Sequence, residues 1–139
     1  MTDAEPGGPA EILPIVGDQD VVRVRQAVRQ AAVDARLSLV DQTKVITAAS
    51  ELARNTLTHG GGGRAELRSV NNGRRAGIRV MFVDRGPGIA DLDQALTDGF
   101  TTGSGLGLGL SGARRLVDEF DIHTAVGEGT RVTVVKWSR

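Results

Sequence analysis

Glu51 and Asn55 stand four residues apart. On a helix that spacing puts both side chains on one face. They lie within roughly 100° of the neighbouring apolar stripe, so they can border a sheet edge or a cleft. A carboxylate that takes a proton beside a carboxamide oxygen that holds a hard cation is a usable chemical pair. The same pair also fits a solvated helix face. Asp84 ends an apolar run and is followed by Gly86 and Gly88. A lone carboxylate there can accept from the exocyclic amine of a flat base, with the glycines removing bulk behind it. A plain turn has the same composition. Gly103-Ser104-Gly105-Leu106-Gly107-Leu108-Gly109 directly precedes a helical pattern. Alternate glycines leave backbone N–H groups open, and the helix behind adds its positive end, which together make a polyphosphate cradle. A flexible surface loop is equally consistent. Gly127-Glu128-Gly129-Thr130 reads as a hairpin turn, and His59 as a residue suited to a helix C-terminus.

Familiar phosphate motifs fail on context. Gly107-x-Gly109-x-x-Gly112 matches the dinucleotide fingerprint but follows no apolar strand. There is no Gly-Lys-Ser/Thr, and no catalytic-loop signature of the protein kinases. A phosphate here must be met by backbone amides, a metal ion and arginine.

The elements that would position these residues follow from periodicity. Residues 10–16 read as an edge strand, because Pro14 cannot donate to a ladder. Asp18 opens a helix with Val21, Val24, Val28, Ala31 and Ala35 as its buried stripe. A second helix, 41–59, buries Val45, Ala49, Leu52 and Thr56, and four glycines at 60–63 stop it as a mobile loop. Strands 64–70 and 75–84 flank an Asn71-Asn72-Gly73-Arg74 turn. A short helix at 91–97, a Gly/Thr-rich segment at 98–109, a helix at 110–120 and hairpin strands at 121–126 and 130–137 complete the order β-α-α-β-β-α-α-β-β. That order predicts the α/β class, as a two-layer α+β sandwich with helices on one face of a mostly antiparallel sheet.

Composition narrows the function. The 139 residues make one domain, expected over 10–139, after a short disordered leader at 1–9. Seventeen basic and seventeen acidic residues give zero net charge, which excludes a global basic field for nucleic acid or membrane. There is no Cys for a thiolate site, and two His cannot build a histidine cluster. Aromatic residues are 3%, too few for a base-stacking surface. No apolar stretch reaches the ~18 residues of a membrane span, and the start carries no secretory signal, so a cytoplasmic address is expected.

The order Glu51-x-x-x-Asn55, Asp84-x-Gly86-x-Gly88, Gly105-x-Gly107-x-Gly109 and Gly129-Thr130 resembles the N, G1 and G2 boxes and closing Gly-Thr of the GHKL ATPase/kinase superfamily. Ser50-Glu51-Leu52-Ala53-Arg54-Asn55, Asp98-Gly99-Phe100-Thr101-Thr102 and the run from Gly105 to Phe120 are most similar to the RsbT-type serine/threonine switch kinases of bacterial stress-response modules. The resemblance implies a Bergerat fold that takes ATP and Mg²⁺. It implies Glu51 as general base, Asn55 as Mg²⁺ ligand and Asp84 as acceptor for the adenine amino group. Gly88 would lie beneath the ring, and Thr130 would reach Asp84 through water. Gly105, Gly107 and Gly109 would give amides to the phosphates. His59, Gly86, Ile89, Gly103, Ser104, Leu106 and Leu108 complete the implied nucleotide set. Implied partners are a STAS-domain substrate, a PP2C-type phosphatase and, in an anti-sigma variant of the same fold, a sigma subunit. Thr58 stands where many relatives carry a basic residue. A histidine-kinase catalytic piece and a vestigial, non-enzymatic nucleotide module are the further readings.

Overall fold

The computed structural model describes residues 5–6, 8–96 and 109–139. In chain order the elements are β1 (Glu5–Pro6), β2 (Glu11–Ile15), α1 (Asp18–Asp34), α2 (Leu39–Thr58), β3 (Gly63–Asn71), β4 (Ala76–Asp84), α3 (Leu92–Ala95), α4 (Leu110–Leu116), β5 (Glu119–Ala125) and β6 (Gly129–Trp137). The sheet runs β1-β3-β4-β6-β5, with β2 also paired to β3, and every pairing is antiparallel. Pro14 is on the outer strand, as expected. Glu5 and Pro6, inside the segment expected to be a disordered leader, pair with Asn71 and Val70.

The helices cover one face. Val21, Val24 and Val28 of α1, Val45, Ala49 and Leu52 of α2, and Ala65, Leu67, Ile78, Val80, Phe82, Val132 and Val134 of the sheet form one buried cluster. Each large side chain sealed there contributes about 1.5–3 kcal/mol relative to exposure. Ala32, rather than the expected Ala31, is the fully buried alanine late in α1.

Both long helices are tied at their starts. The Asp20 carboxylate accepts from the Val16 and Gly17 amides at 2.9 and 3.0 Å, so it caps α1 from within the first turn. Those amides, led by Val16, hold its carboxyl below the ordinary value against the opposing effect of burial. Ser38 caps α2 by accepting from the Asp41 amide at 3.1 Å. Asp41 itself is buried. Lys136 Nζ lies 3.6 Å from it and 3.5 Å from Asp118, and Arg139 lies 3.5 Å from Asp41 and 2.8 Å from Asp118. Burial pushes the Asp41 carboxyl up, but Lys136, Arg139 and the Ser38 hydroxyl outweigh it, and the net direction is down.

The largest shift of boundaries from the sequence expectation falls between α4 and β5. The helix expected over 110–120 ends at Leu116, and β5 begins at Glu119 rather than residue 121. Pairing with β6 claims this backbone: the Asp118 amide donates to the Val135 carbonyl at 2.9 Å, and Asp118 Oδ2 accepts from the Trp137 amide at 2.7 Å. The glycine run is also not wholly a loop, since Gly63 opens β3 opposite Asp84.

Candidate functional site

The site forms where α2 ends beside the ends of β4 and the start of β6. Alternation on β4 turns Ile78, Val80 and Phe82 toward the helices, and the same step carries Asp84 to that side at the strand end. On β6 the register sets Thr130 opposite Asp84 and Val132 opposite Phe82. The 3.6-residue repeat of α2 aligns Leu52, Asn55, Thr56 and His59 along the facing side. One pocket results, lined by Leu52, Asn55, Thr56, His59, Phe82, Asp84, Ile89, Leu110, Thr130 and Val132. Its floor is apolar, and its polar groups come from α2, β4 and β6, which suits a flat heterocycle with a polar edge.

Of the residues expected from the sequence, Asn55, His59, Asp84, Ile89 and Thr130 meet in this pocket. Glu51 lies one turn before Asn55, exposed, with its carboxylate against Gly109 at the start of α4. Gly109 has φ +65°, and a Cβ there would sit 2.5 Å from Glu51 Oε2. Gly86 and Gly88 do not line the pocket. Gly86 packs on the Gly60 backbone, and Gly88 packs on the Ala125 carbonyl of β5. Gly103, Ser104, Gly105, Leu106, Gly107 and Leu108 lie outside the described residues.

The polar groups are held in place. Asp84 Oδ1 accepts from the Gly86 amide at 2.8 Å. A Cβ on Gly60 would meet Asp84 Oδ2 at 2.5 Å, so only glycine lets the end of α2 approach this carboxylate. The Gly60 amide itself closes the helix on the Asn55 carbonyl at 2.9 Å. His59 Nε2 is buried and has no hydrogen-bond partner among the described residues. An unpaired buried ring nitrogen costs about 1–3 kcal/mol, which a polar ligand in the pocket would recover. Asn55 offers a carboxamide oxygen of the kind Mg²⁺ takes alongside phosphate oxygens. These groups fit a magnesium nucleotide.

The sequence reading missed Leu52, Thr56, Phe82, Leu110 and Val132 as pocket walls. The signal was present in the two periodicities, because the same buried positions that build the core continue into the site. It also missed Thr124, whose hydroxyl accepts from the Ile89 amide at 2.9 Å and contacts Thr130 Oγ1 at 2.9 Å. Only the register of β5 against β6 brings Thr124 there.

The family described as histidine kinase-, DNA gyrase B- and HSP90-like ATPases matches residues 40–138. The chain is 40% identical over 125 residues to the serine/threonine-protein kinase RsbT of Bacillus subtilis (strain 168), covering 90% of this chain and 94% of that protein. It is 28% identical over 97 residues to the anti-sigma F factor of Thermoanaerobacter sp. (strain X514), covering 66% of each.

Proposed function

The chain belongs to the family of histidine kinase-, DNA gyrase B- and HSP90-like ATPases, and from that premise we propose that it is an ATP-dependent protein serine/threonine kinase of a bacterial partner-switching module. The observation that carries the reading is the single pocket that unites Asn55, His59, Asp84 and Thr130 one helical turn from Glu51. The 40% identity to a serine/threonine-protein kinase over nearly the whole chain supports it independently.

The roles follow from each group's chemistry. Asp84 accepts from the amino group of the base, with Ile89 and Phe82 supplying apolar contact. Asn55 holds the metal through its oxygen, and His59 gives its free ring nitrogen to the nucleotide. By the resemblance, Gly105, Gly107 and Gly109 would give amides to the phosphates. When bound, Mg-ATP supplies the transferable phosphoryl group and a divalent charge to offset its anionic oxygens. Glu51 takes the proton from the attacking hydroxyl of the substrate serine or threonine. General-base help of this kind is worth about 10²–10⁴-fold.

The substrate of this kinase is a STAS-domain protein, and its released form activates a PP2C-type phosphatase. This follows from the resemblance to the switch kinases. A cytoplasmic address is part of what the resemblance to the switch kinases implies; separately, no helix among the described residues is long and apolar enough to cross a membrane. The second reading, an anti-sigma factor that sequesters a sigma subunit, is favoured by the 28% identity to an anti-sigma F factor. Labelled ATP, Mg²⁺ and a candidate STAS protein test the first reading. Label should appear on a serine or threonine of the STAS protein, and a chain that binds nucleotide yet transfers nothing to any STAS candidate would refute it. A sigma subunit that co-purifies with the chain would support the second.

A further inference from the structure

Beside the Glu51 carboxylate stands a cation that the pocket does not use. Arg54 follows Glu51 by three residues on α2, and Asn55 follows it by four. At 3.6 residues per turn, Arg54 falls about 60° to one side of Glu51 and Asn55 about 40° to the other. Asn55 and His59 line the pocket. Arg54 is therefore turned away from it, and it is exposed. Its guanidinium has no hydrogen-bond or ion-pair partner among the described residues.

The surface around Arg54 has the same character. Val40, Thr47 and Arg54 recur every seven residues along α2, and Lys44, Glu51 and Thr58 form the neighbouring row. All six are exposed. Asp41, the other carboxylate of α2, is buried against Lys136, so Glu51 is the one exposed carboxylate of this helix. Residues 35–38 join α1 to α2, a turn short enough to set the two helices antiparallel and side by side. Gln30 and Asp34 of α1 lie on the flank that meets Leu67 and Ser69 of β3. The flank turned the other way carries Val22, Arg29 and Val33, all exposed. Arg29 and Lys44, like Arg54, have no carboxylate partner among the described residues. The chain as a whole has zero net charge, so this basic face is a local arrangement.

A hydroxyl that reaches Glu51 brings its chain neighbours past Arg54. Side chains three apart on a helix have Cβ atoms about 5–6 Å apart. Residues one or two apart on an extended chain are separated by about 3–7 Å. A carboxylate one or two positions from the acceptor hydroxyl thus falls within reach of the guanidinium, whose planar fork matches a carboxylate.

We propose that Arg54 is a specificity-determining residue for the acceptor protein: it holds an acidic side chain one or two positions from the acceptor serine or threonine, and so seats that hydroxyl at Glu51. The substrate class is a protein serine or threonine flanked by Asp or Glu. This rests on the kinase reading of the site. An anionic bilayer is the rival occupant of a basic helical face with apolar residues. It is disfavoured because the apolar residues here are three valines without Trp or Phe, and because Glu51 would be pressed against like charge.

The test is steady-state transfer from Mg-ATP to the STAS protein that the full chain labels. Arg54→Ala should raise the KM for that acceptor about 5-fold and Arg54→Glu about 10-fold or more, with a much smaller change in kcat. Calorimetry with Mg-ADP should show the nucleotide affinity of both variants unchanged. Replacing the acidic neighbour of the labelled residue by Lys should raise KM for the wild type and lower it for Arg54→Glu. An Arg54→Glu chain with the wild-type KM, a swap that restores nothing, or a labelled residue with no Asp or Glu within two positions overturns the proposal. Sedimentation of the chain with phosphatidylserine vesicles that Arg54→Glu abolishes, with acceptor KM unmoved, assigns the face to a membrane instead. A wild-type chain that binds Mg-ADP yet labels no acceptor refutes the kinase reading itself, and this inference with it.

Discussion

Gly109 and Glu51 share one small volume: a methyl group on Gly109 would lie 2.5 Å from the Glu51 Oε2. The residue that opens α4 therefore sets how far the carboxylate of α2 can extend. Gly109→Ala meets this contact and also a left-handed backbone at φ +65°, a conformation that costs other residues about 1–2 kcal/mol. Phosphoryl transfer by Gly109→Ala should fall by about 10-fold or more, as its carboxylate is pushed aside. Glu51→Ala should lose about 10²–10⁴-fold in transfer and keep its affinity for ATP. Single-turnover transfer and calorimetry on the two variants check both statements, and a fully active Glu51→Ala chain would remove the base assignment.

Asp84→Asn should lose nucleotide binding. The variant side chain can turn an N–H donor toward the base amine, and a hydrogen bond to a charged group is worth about 1.5–3 kcal/mol. The expected loss in affinity is about 10- to 100-fold, read by titration with Mg-ADP. Unchanged affinity would refute the adenine assignment for Asp84.

Lys136 is a stability residue in a sequence whose function lies elsewhere. Lys136→Met should leave Asp41 and Asp118 short of a buried countercharge and destabilise the fold by about 3–5 kcal/mol. Urea unfolding measures this. The double variant Lys136→Met/Asp41→Leu should recover part of the loss, because the uncompensated carboxylate is gone too.

Acid should weaken the fold through Asp41 and Asp20. Both carboxyls are held below their ordinary value of 3.8 in the folded chain. The unfolded chain therefore takes up protons first as the pH falls. The stability these groups supply is complete above about pH 4 to 5 and is lost as the pH drops through the lower folded values. Unfolding midpoints from pH 7 down to pH 3 should fall in that window, and less steeply for Asp41→Asn.

Much of the site was legible because it extends the core's own periodicities. The period of α2 that buries Val45, Ala49, Leu52 and Thr56 also aligns Asn55 and His59. The alternation of β4 that buries Val80 and Phe82 delivers Asp84. What was not legible depended on pairing between distant residues. Lys136 follows Val132 and Val134 on the core side of β6, but its charge argues for solvent, and only Asp41 and Asp118 explain its burial. Leu110 to Phe120 keeps a helical spacing, yet the ladder with β6 takes Glu119 and Phe120. Thr124 became visible only with the register of the last hairpin.

The helix that bears Glu51 and Asn55 is clamped at both ends, by Lys136 against Asp41 at its start and by Gly60 against Asp84 at its finish. It behaves as an anvil rather than a jaw. On the role proposed for Glu51, its place on a helix tied at both ends means that an acceptor protein would bring its hydroxyl to the carboxylate. Discrimination among acceptors then resides in how each one seats on the rim, and exchanging the rim should redirect the enzyme without retuning its chemistry.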